Sequence, residues 1–246
     1  MACSAAKISI IIPVFNAVNT IKNVVESVLN QTYLAKELVV IDNLSTDGTT
    51  EILKSYGNQI KLITEKDNGI YDAMNKAIAH CSGDWLFFLG SDDVFNNNNV
   101  LTDIFDKNDI KDNQIVYGNA FYIHRKKVRF GEMNRYKLAK HNFNHQTVFY
   151  PKQVFTIFNY DTKYKLWADY YLNIQLYFKS NFQFRYVDVI VSKFNDRGSS
   201  GNQDDQAFLI DRNRILNAIL PLDALTFYYA RGLFIKFRDL LRGGRK

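Results

Sequence analysis

Two adjacent carboxylates, Asp92 and Asp93, follow the apolar run Trp85-Leu86-Phe87-Phe88-Leu89 and the pair Gly90-Ser91. Side by side at the end of a buried strand, they repel each other unless hydrogen-bond donors or a cation balance them. Hard divalent ions such as Mg2+ or Mn2+ suit such a pair, because they take oxygen ligands and complete their shell with a substrate's phosphates. Gly-Ser-Asp-Asp is also ordinary turn chemistry. Asp42 ends a second apolar run, Leu38-Val39-Val40-Ile41, where a carboxylate can accept from a base imide or a ribose hydroxyl. Behind it, Ser45, Thr46 and Asp47 are helix N-cap residues, and Asp47-Gly48 is a turn dipeptide. In a third group, from Glu65 to Asn75, Asp72 and Asn75 stand three apart and share a face near a helix N-terminus. That position favours phosphate-bearing or hydroxyl-rich ligands. Pro13-Val14-Phe15-Asn16 closes the first apolar run.

These groups need a frame that brings them to one edge. Residues 8–15, 38–41, 61–64 and 85–89 read as strands, and the most apolar of them belong in a sheet covered on both faces. Between them, residues 17–31, 49–56 and 70–80 carry apolar residues at helical spacing, for example Ile21, Val24, Val25 and Val28. Strand and helix in alternation predict a mainly parallel sheet, which binds ligands at the carboxyl ends of its strands. Further on, a turn at 96–99 and a helix at 100–105 precede aromatic-rich strands at 114–121 and 122–130. A helix at 167–178, a strand at 184–194 and a helix at 204–220 follow. No Gly-, Ser- or Pro-rich linker and no repeat separates the two halves.

The bulk properties narrow the classes. With 246 residues, 47% of them hydrophobic, and a net charge of +6, the chain can bury a large core and is not a disordered polymer. Its two cysteines, Cys3 and Cys81, exclude a disulfide framework and a cysteine zinc site, and fit a reducing cytoplasm. No apolar stretch is long enough to span a membrane, and no signal-peptide pattern opens the chain. Neither a G-x-G-x-x-G after the first strand nor a Walker loop is present, so a nucleotide, if one is bound, is held by other means.

In order and spacing, residues 8–95 resemble the nucleotide-binding half of glycosyltransferase family 2 enzymes of the GT-A fold. The matching segments are Ile10-Ile11-Ile12-Pro13-Val14-Phe15-Asn16, Ser27-Val28-Leu29-Asn30-Gln31-Thr32-Tyr33, and Glu37 to Asn43 with Ser45 and Asp47-Gly48-Thr49. They continue with Asp67 to Ile78, Gly83-Asp84-Trp85 and Ser91-Asp92-Asp93. The resemblance implies a Rossmann-like α/β fold, mixed and mainly parallel, flanked by helices and followed by a C-terminal helical segment. It implies one domain over 1–220, with 7–95 holding the sugar nucleotide and 96–220 the acceptor. Asp93 is then the metal ligand, aided by Asp92, which also contacts ribose or sugar. Pro13, Phe15, Asn16 and Asp42 surround the nucleoside, and Asp67, Gly69, Asp72, Asn75 and Ser91 complete the donor pocket. Ser91 stands where many relatives carry an acid.

Inverting transfer also needs a base opposite the leaving group. In Trp167-Ala168-Asp169-Tyr170, Asp169 resembles the family's base, although a helix-start acid matched to the macrodipole has the same sequence. Asp161, Asp188 and Asp196 are alternatives. His145 and Gln146 are expected to touch acceptor or diphosphate rather than a metal, an ordinary hydrogen-bonded histidine being the other reading. The loop 194–201, with Arg197, is expected to act as a lid. Residues 221–246 interleave six cations and two acids with apolar residues, which suits a helix on an anionic membrane or a terminal helix packed on the domain. The expectation is a Mn2+- or Mg2+-dependent inverting transferase, using a UDP-linked sugar on a glycan or lipid-linked saccharide at the inner membrane face. The rivals are a sugar-nucleotide-forming nucleotidyltransferase, which would want a Gly-rich loop after the first strand, and a non-catalytic basic module. Nucleic acid is not expected as a partner.

Overall fold

The computed structural model describes residues 5–129, 131–198 and 204–243. Cys3, Phe130, residues 199–201 of the expected lid, and Arg245 and Lys246 lie outside them. The strands are β1 (Ile8–Val14), β2 (Lys36–Asp42), β3 (Lys61–Thr64), β4 (Trp85–Phe88), β5 (Val94–Phe95), β6 (Gln114–Tyr122), β7 (Lys127–Arg129), β8 (Val148–Pro151) and β9 (Gln183–Phe194). The helices are α1 (Ile21–Leu29), α2 (Thr49–Ser55), α3 (Ile70–Ile78), α4 (Val100–Phe105), α5 (Arg135–Leu138), α6 (Ala168–Lys179), α7 (Gln206–Ile219) and α8 (Leu222–Gly243).

One sheet runs through both halves in the order β3-β2-β1-β4-β8-β6-β9-β5, with β7 paired to β6. β1 to β4 are parallel, as their apolar runs require, and every residue of β1 and β4 is buried. β8 then enters antiparallel between β4 and β6, while β6 and β9 are parallel. The resulting fold is the expected mixed α/β sheet flanked by helices. Phe87 of β4 stacks on Phe149 of β8 at 4.4 Å, joining the halves through the core.

Local chemistry moved several boundaries. α1 starts at Ile21 rather than residue 17, because Asn16 takes a positive φ of 49° and Ala17 to Thr20 form a turn. Residues 122–130 are not one strand: β6 ends at Tyr122 and a turn with Lys126 at φ 48° leads into β7. β8, β5 and α5 lay outside the expected elements, and all three are short.

At the amino edge of the sheet, the Glu37 carboxylate accepts from Ser82 N (2.6 Å) and Oγ (2.7 Å) and from Gly83 N (3.2 Å), and pairs with Lys7. Burial opposes ionisation there, but the hydrogen bonds from Ser82 and Ser9 prevail and hold Glu37 at about 2. Gly83 lies so close to β1 that a Cβ would stand 2.6 Å from Ser9 N and 2.8 Å from the Lys7 carbonyl, both backbone atoms. Gly83→Ala is therefore expected to cost about 1–3 kcal/mol, read as a lower thermal midpoint. An unchanged midpoint would mean that this edge can relax.

Candidate active site

A cleft of about 520 Å3 opens at the carboxyl ends of β1 and β4 and is closed by residues from 122–146, 165–170 and 194–198. Pro13, Ser91, Asp92, Asp93, His145, Gln146 and Asp169 all line it. A larger hollow of about 790 Å3 lies at the opposite end of the strands, around Asp84 and Lys152, and holds none of these residues.

Asp93 is 1% exposed. Its Oδ2 accepts from Gln146 Nε2 (2.7 Å) and its Oδ1 from Asn195 N (2.6 Å). Asn195 Nδ2 also donates to Asp92 Oδ2 at 2.9 Å, so one residue at the end of β9 binds both acids. Burial pushes the Asp93 carboxyl up to about 7, and the neighbouring Asp92 adds to the rise against the lowering effect of Asn195, His145 and Gln146. The acid is short of positive charge.

Asp169 sits in the first turn of α6 and is 7% exposed. Its Oδ1 accepts from Tyr170 N (2.7 Å) and Tyr71 OH (3.0 Å), and its Oδ2 lies 3.5 Å from His145 Nδ1. Burial, and then the charge of Asp169, raise Tyr71 well above an ordinary phenol, so Tyr71 remains a donor. His145 and Gln146 form a short 3-10 turn just before β8, tied by Asn144 Oδ1 to Gln146 N. Two consecutive side chains thus touch the two carboxylates, one each. Their other polar atoms, His145 Nε2 and Gln146 Oε1, are buried without a hydrogen-bond partner.

A hard divalent ion fits this donor set. A Cβ built on Gly90 would lie 2.5 Å from Asp93 Oδ2, 3.4 Å from Asp92 Oδ1 and 3.3 Å from Gln146 Nε2, so the groups converge on the space that this glycine leaves. No three His, Cys, Asp or Glu side chains converge among the described residues, so the remaining ligands would be substrate phosphates.

The other expected donor residues divide. Phe15 is 58% exposed beside the cleft wall formed by Pro13. Asn16 joins the β1 and β2 loops, accepting from Thr46 N and taking Ser45 Oγ on its own N–H. Asp42 is fully buried, with its oxygens accepting from Ser45 and from Thr50 Oγ1 (2.6 Å), so it braces the loop and does not line the cleft. Asp67 accepts from Gly69 N (2.8 Å), and burial raises its carboxyl. Asp72 accepts from Asn68 N (2.8 Å), which lowers its own, and lies 3.3 Å from Lys76. Asn75 is turned away: it exchanges hydrogen bonds with the Tyr160 carbonyl (2.8 Å) and N–H (3.1 Å), fastening α3 to the segment before α6.

The alternative bases have other partners and lie off the cleft. Asp161 accepts from Lys163 N, Asp188 from Asn119 and Tyr186, and Asp196 from His124 N beside Arg125. Arg197 is exposed beyond the cleft-lining Asn195 and Gly198. Sequence reasoning did not single out Tyr71 as a site residue, nor Asn195, nor the cations Arg129, Lys140 and Lys165 that line the cleft. Asn195 had a signal, since it falls in the loop already marked as a lid. The cations had none.

The family model described as "Glycosyl transferase family 2" matches residues 9–184. A PGL/p-HBAD biosynthesis glycosyltransferase of Mycobacterium bovis is 31% identical over 208 residues, covering 81% of this chain and 80% of that protein. Among solved structures, S. aureus TarS superposes with a TM-score of 0.72 at 19% identity, over 92% of this chain but 43% of TarS, so the chain spans less than half of that molecule. TarS 1–349 in complex with UDP-GlcNAc gives 0.67 at 19% identity, over 91% of this chain and 73% of that one. The mannosyltransferase PcManGT from Pyrobaculum calidifontis, solved with GDP-Man and Mn2+, gives 0.62 at 16% identity over 93% and 64%.

Proposed function

Because the chain belongs to glycosyl transferase family 2, we propose that the cleft transfers a sugar, with inversion, from a nucleoside-diphosphate sugar to a hydroxyl of a glycan or lipid-linked saccharide. The observation that carries this reading is the pair His145 and Gln146, which tie Asp169 and Asp93 into one cleft. Family membership sets aside the nucleotidyltransferase and the non-catalytic module. We divide the chain as a single unit over 1–220, with the donor on 7–95 and the acceptor on 96–220.

In this reading the nucleoside lies against Pro13 and Phe15 on the loop braced by Asn16 and Asp42, near Asp67, Gly69 and Asp72. The diphosphate lies by Ser91, Asp92 and Asp93, toward His145, Gln146 and Lys165. A Mn2+ or Mg2+ ion held by Asp93 and Asp92 would neutralise charge on the leaving diphosphate. The acceptor oxygen attacks the anomeric carbon opposite the diphosphate. As the new C–O bond forms, the old one breaks, the electron pair leaves on the diphosphate oxygen, and Asp169 takes the acceptor's proton. Tyr71 and His145 orient Asp169. Phe194, Asn195 and Gly198 wall one side of the site, and the protein works at the inner face of a membrane where surface polysaccharide or glycolipid is built.

UDP is the favoured base, supported by the UDP-GlcNAc complex of TarS, and GDP is the alternative raised by PcManGT. A thermal-shift panel of UDP-, GDP- and TDP-sugars with and without Mn2+ tests this. Near-saturating donor stabilises the native state by about 2.7 kcal/mol at a hundredfold over Kd, a shift of roughly 5–10 °C for a chain of this size. The shift is expected with a UDP-sugar and to grow with Mn2+; no shift with any sugar nucleotide would end the proposal.

A further inference from the structure

We infer that the outer turns of α8 form a docking face for an anionic lipid surface, set beside the mouth of the cleft. The start of α8 is fixed to the body. Ala224 is buried, Asp223 pairs with Arg135 at 3.0 Å, and Phe227 meets Tyr136 at 5.1 Å between ring centres. Tyr229 still donates from its hydroxyl to Asn217 Oδ1 of α7 at 3.1 Å; beyond it the helix leaves the core, and between 230 and 240 only Ile235 is even half-buried.

The exposed part has two distinct sides. Leu233 is 69% exposed, Phe234 65%, Phe237 60% and Leu240 73%. With Tyr229 these fall within an arc of about 140° on a helix of 3.6 residues per turn. On the same wheel Arg231 and Arg238 border one edge of that arc and Lys236 the other, while the acid Asp239 faces away and is held by Arg238 at 2.8 Å. An apolar face this open marks an interaction site. Cations on both edges disfavour a second copy of the same helix, which would bring like charges together. They complement an anionic bilayer, whose surface attracts each of them while the apolar arc enters the headgroup boundary.

The base of this helix touches the cleft wall. Lys140, which lines the cleft, places its Nζ 5.4 Å from the centre of the Phe227 ring. Burial lowers His141 on the same wall, and the charges of Lys140, Arg231 and Arg129 add to it in that order. A bilayer bound to the outer turns therefore lies next to the entrance for the acceptor. This last step rests on the proposed function; the docking face does not.

The test is co-sedimentation of the whole chain with vesicles of pure phosphatidylcholine or of phosphatidylcholine mixed with phosphatidylglycerol. Binding is expected to be at least about tenfold tighter to the anionic vesicles and to weaken in high salt. Leu233→Glu with Phe237→Glu alters only exposed side chains, and is expected to weaken binding at least about tenfold while leaving the thermal midpoint and the sugar-nucleotide shift unchanged. Lys236→Glu with Arg238→Glu should weaken binding to anionic vesicles only. Equal binding to both vesicle types, or undiminished binding by the Leu233/Phe237 variant, would overturn the inference. So would a solution dimer that this variant dissolves, which would assign the face to a second copy. Vesicle binding by a chain that transfers no sugar would leave the docking face standing and remove the proposed activity instead.

Discussion

Asp93→Asn is expected to abolish sugar transfer and, in metal-free buffer at pH 8, to make the protein more stable than its parent. Both effects come from one buried charge. Asp93 is 1% exposed and pushed up to about 7 from the ordinary 3.8, with burial as the first cause and Asp92 adding to it. Between about pH 4 and pH 7 the folded protein keeps a proton on Asp93 that the unfolded chain has released, so the native state loses stability as pH rises through that window. The gap from 3.8 to about 7 sets an upper limit of about 4 kcal/mol on the loss. The Asn variant carries no charge and escapes it. Its amide can keep the bond from Asn195 N, and the Gln146 amide can turn over to present its unpartnered oxygen. Urea melts of both proteins at pH 4 and pH 8, without divalent ions, should coincide at the lower pH and separate at the higher, with the variant above. Transfer should fall on the order of 10²–10³-fold or more, the usual effect of removing a stabiliser of the leaving charge. A variant less stable than the parent at pH 8 would show that the carboxylate is already balanced inside the protein.

Asp169→Asn should leave donor binding intact and remove transfer. The new amide oxygen still accepts from Tyr71 and from Tyr170 N, while its nitrogen faces His145 Nδ1, a ring nitrogen able to accept. The fold and the donor pocket therefore persist. What is lost is the proton acceptor proposed above, a role worth about 10²–10⁴-fold in rate. The measurements are the sugar-nucleotide thermal shift, expected to match the parent, and single-turnover transfer, expected to fall by that factor. Asp161→Asn, Asp188→Asn and Asp196→Asn, all off the cleft, should retain transfer. Undiminished transfer by the Asp169 variant would remove it as the base.

The parts of this site that sequence reveals are those built from contiguous chain. A buried run followed by Asp92-Asp93, or Asp169 opening a helix, presents strand, turn and acid within a few residues of one another. Partners brought in by the sheet are different. Asn195 reaches Asp93 across 102 positions, and Tyr71 reaches Asp169 across 98, so no local pattern couples them. β8 was missed because Val148-Phe149-Tyr150-Pro151 is four residues long and buried on both faces, leaving no alternation to detect. The turn at Lys126 hides for another reason: its positive φ is taken by a lysine rather than by glycine or asparagine. Asp42 and Asn75 show the converse. Their residue types suggested ligands, yet Ser45 and Thr50 in one case, and the Tyr160 backbone in the other, already satisfy them.

The reversed direction of β8 has a mechanical consequence. An antiparallel neighbour begins where a parallel strand stops, which is why the residues entering β8 stand over those leaving β4. Where His145 and Gln146 stand relative to Asp169 and Asp93 is accordingly set by how β8 is aligned on β4, through the pairings Trp85 with Pro151, Leu86 with Tyr150 and Phe87 with Phe149. A slip of two residues along that seam would preserve every inward face yet carry His145 and Gln146 about 7 Å from their carboxylates. The stacked phenyl rings of Phe87 and Phe149, wholly buried in the seam, thus help hold the alignment that brings these two side chains to their carboxylates.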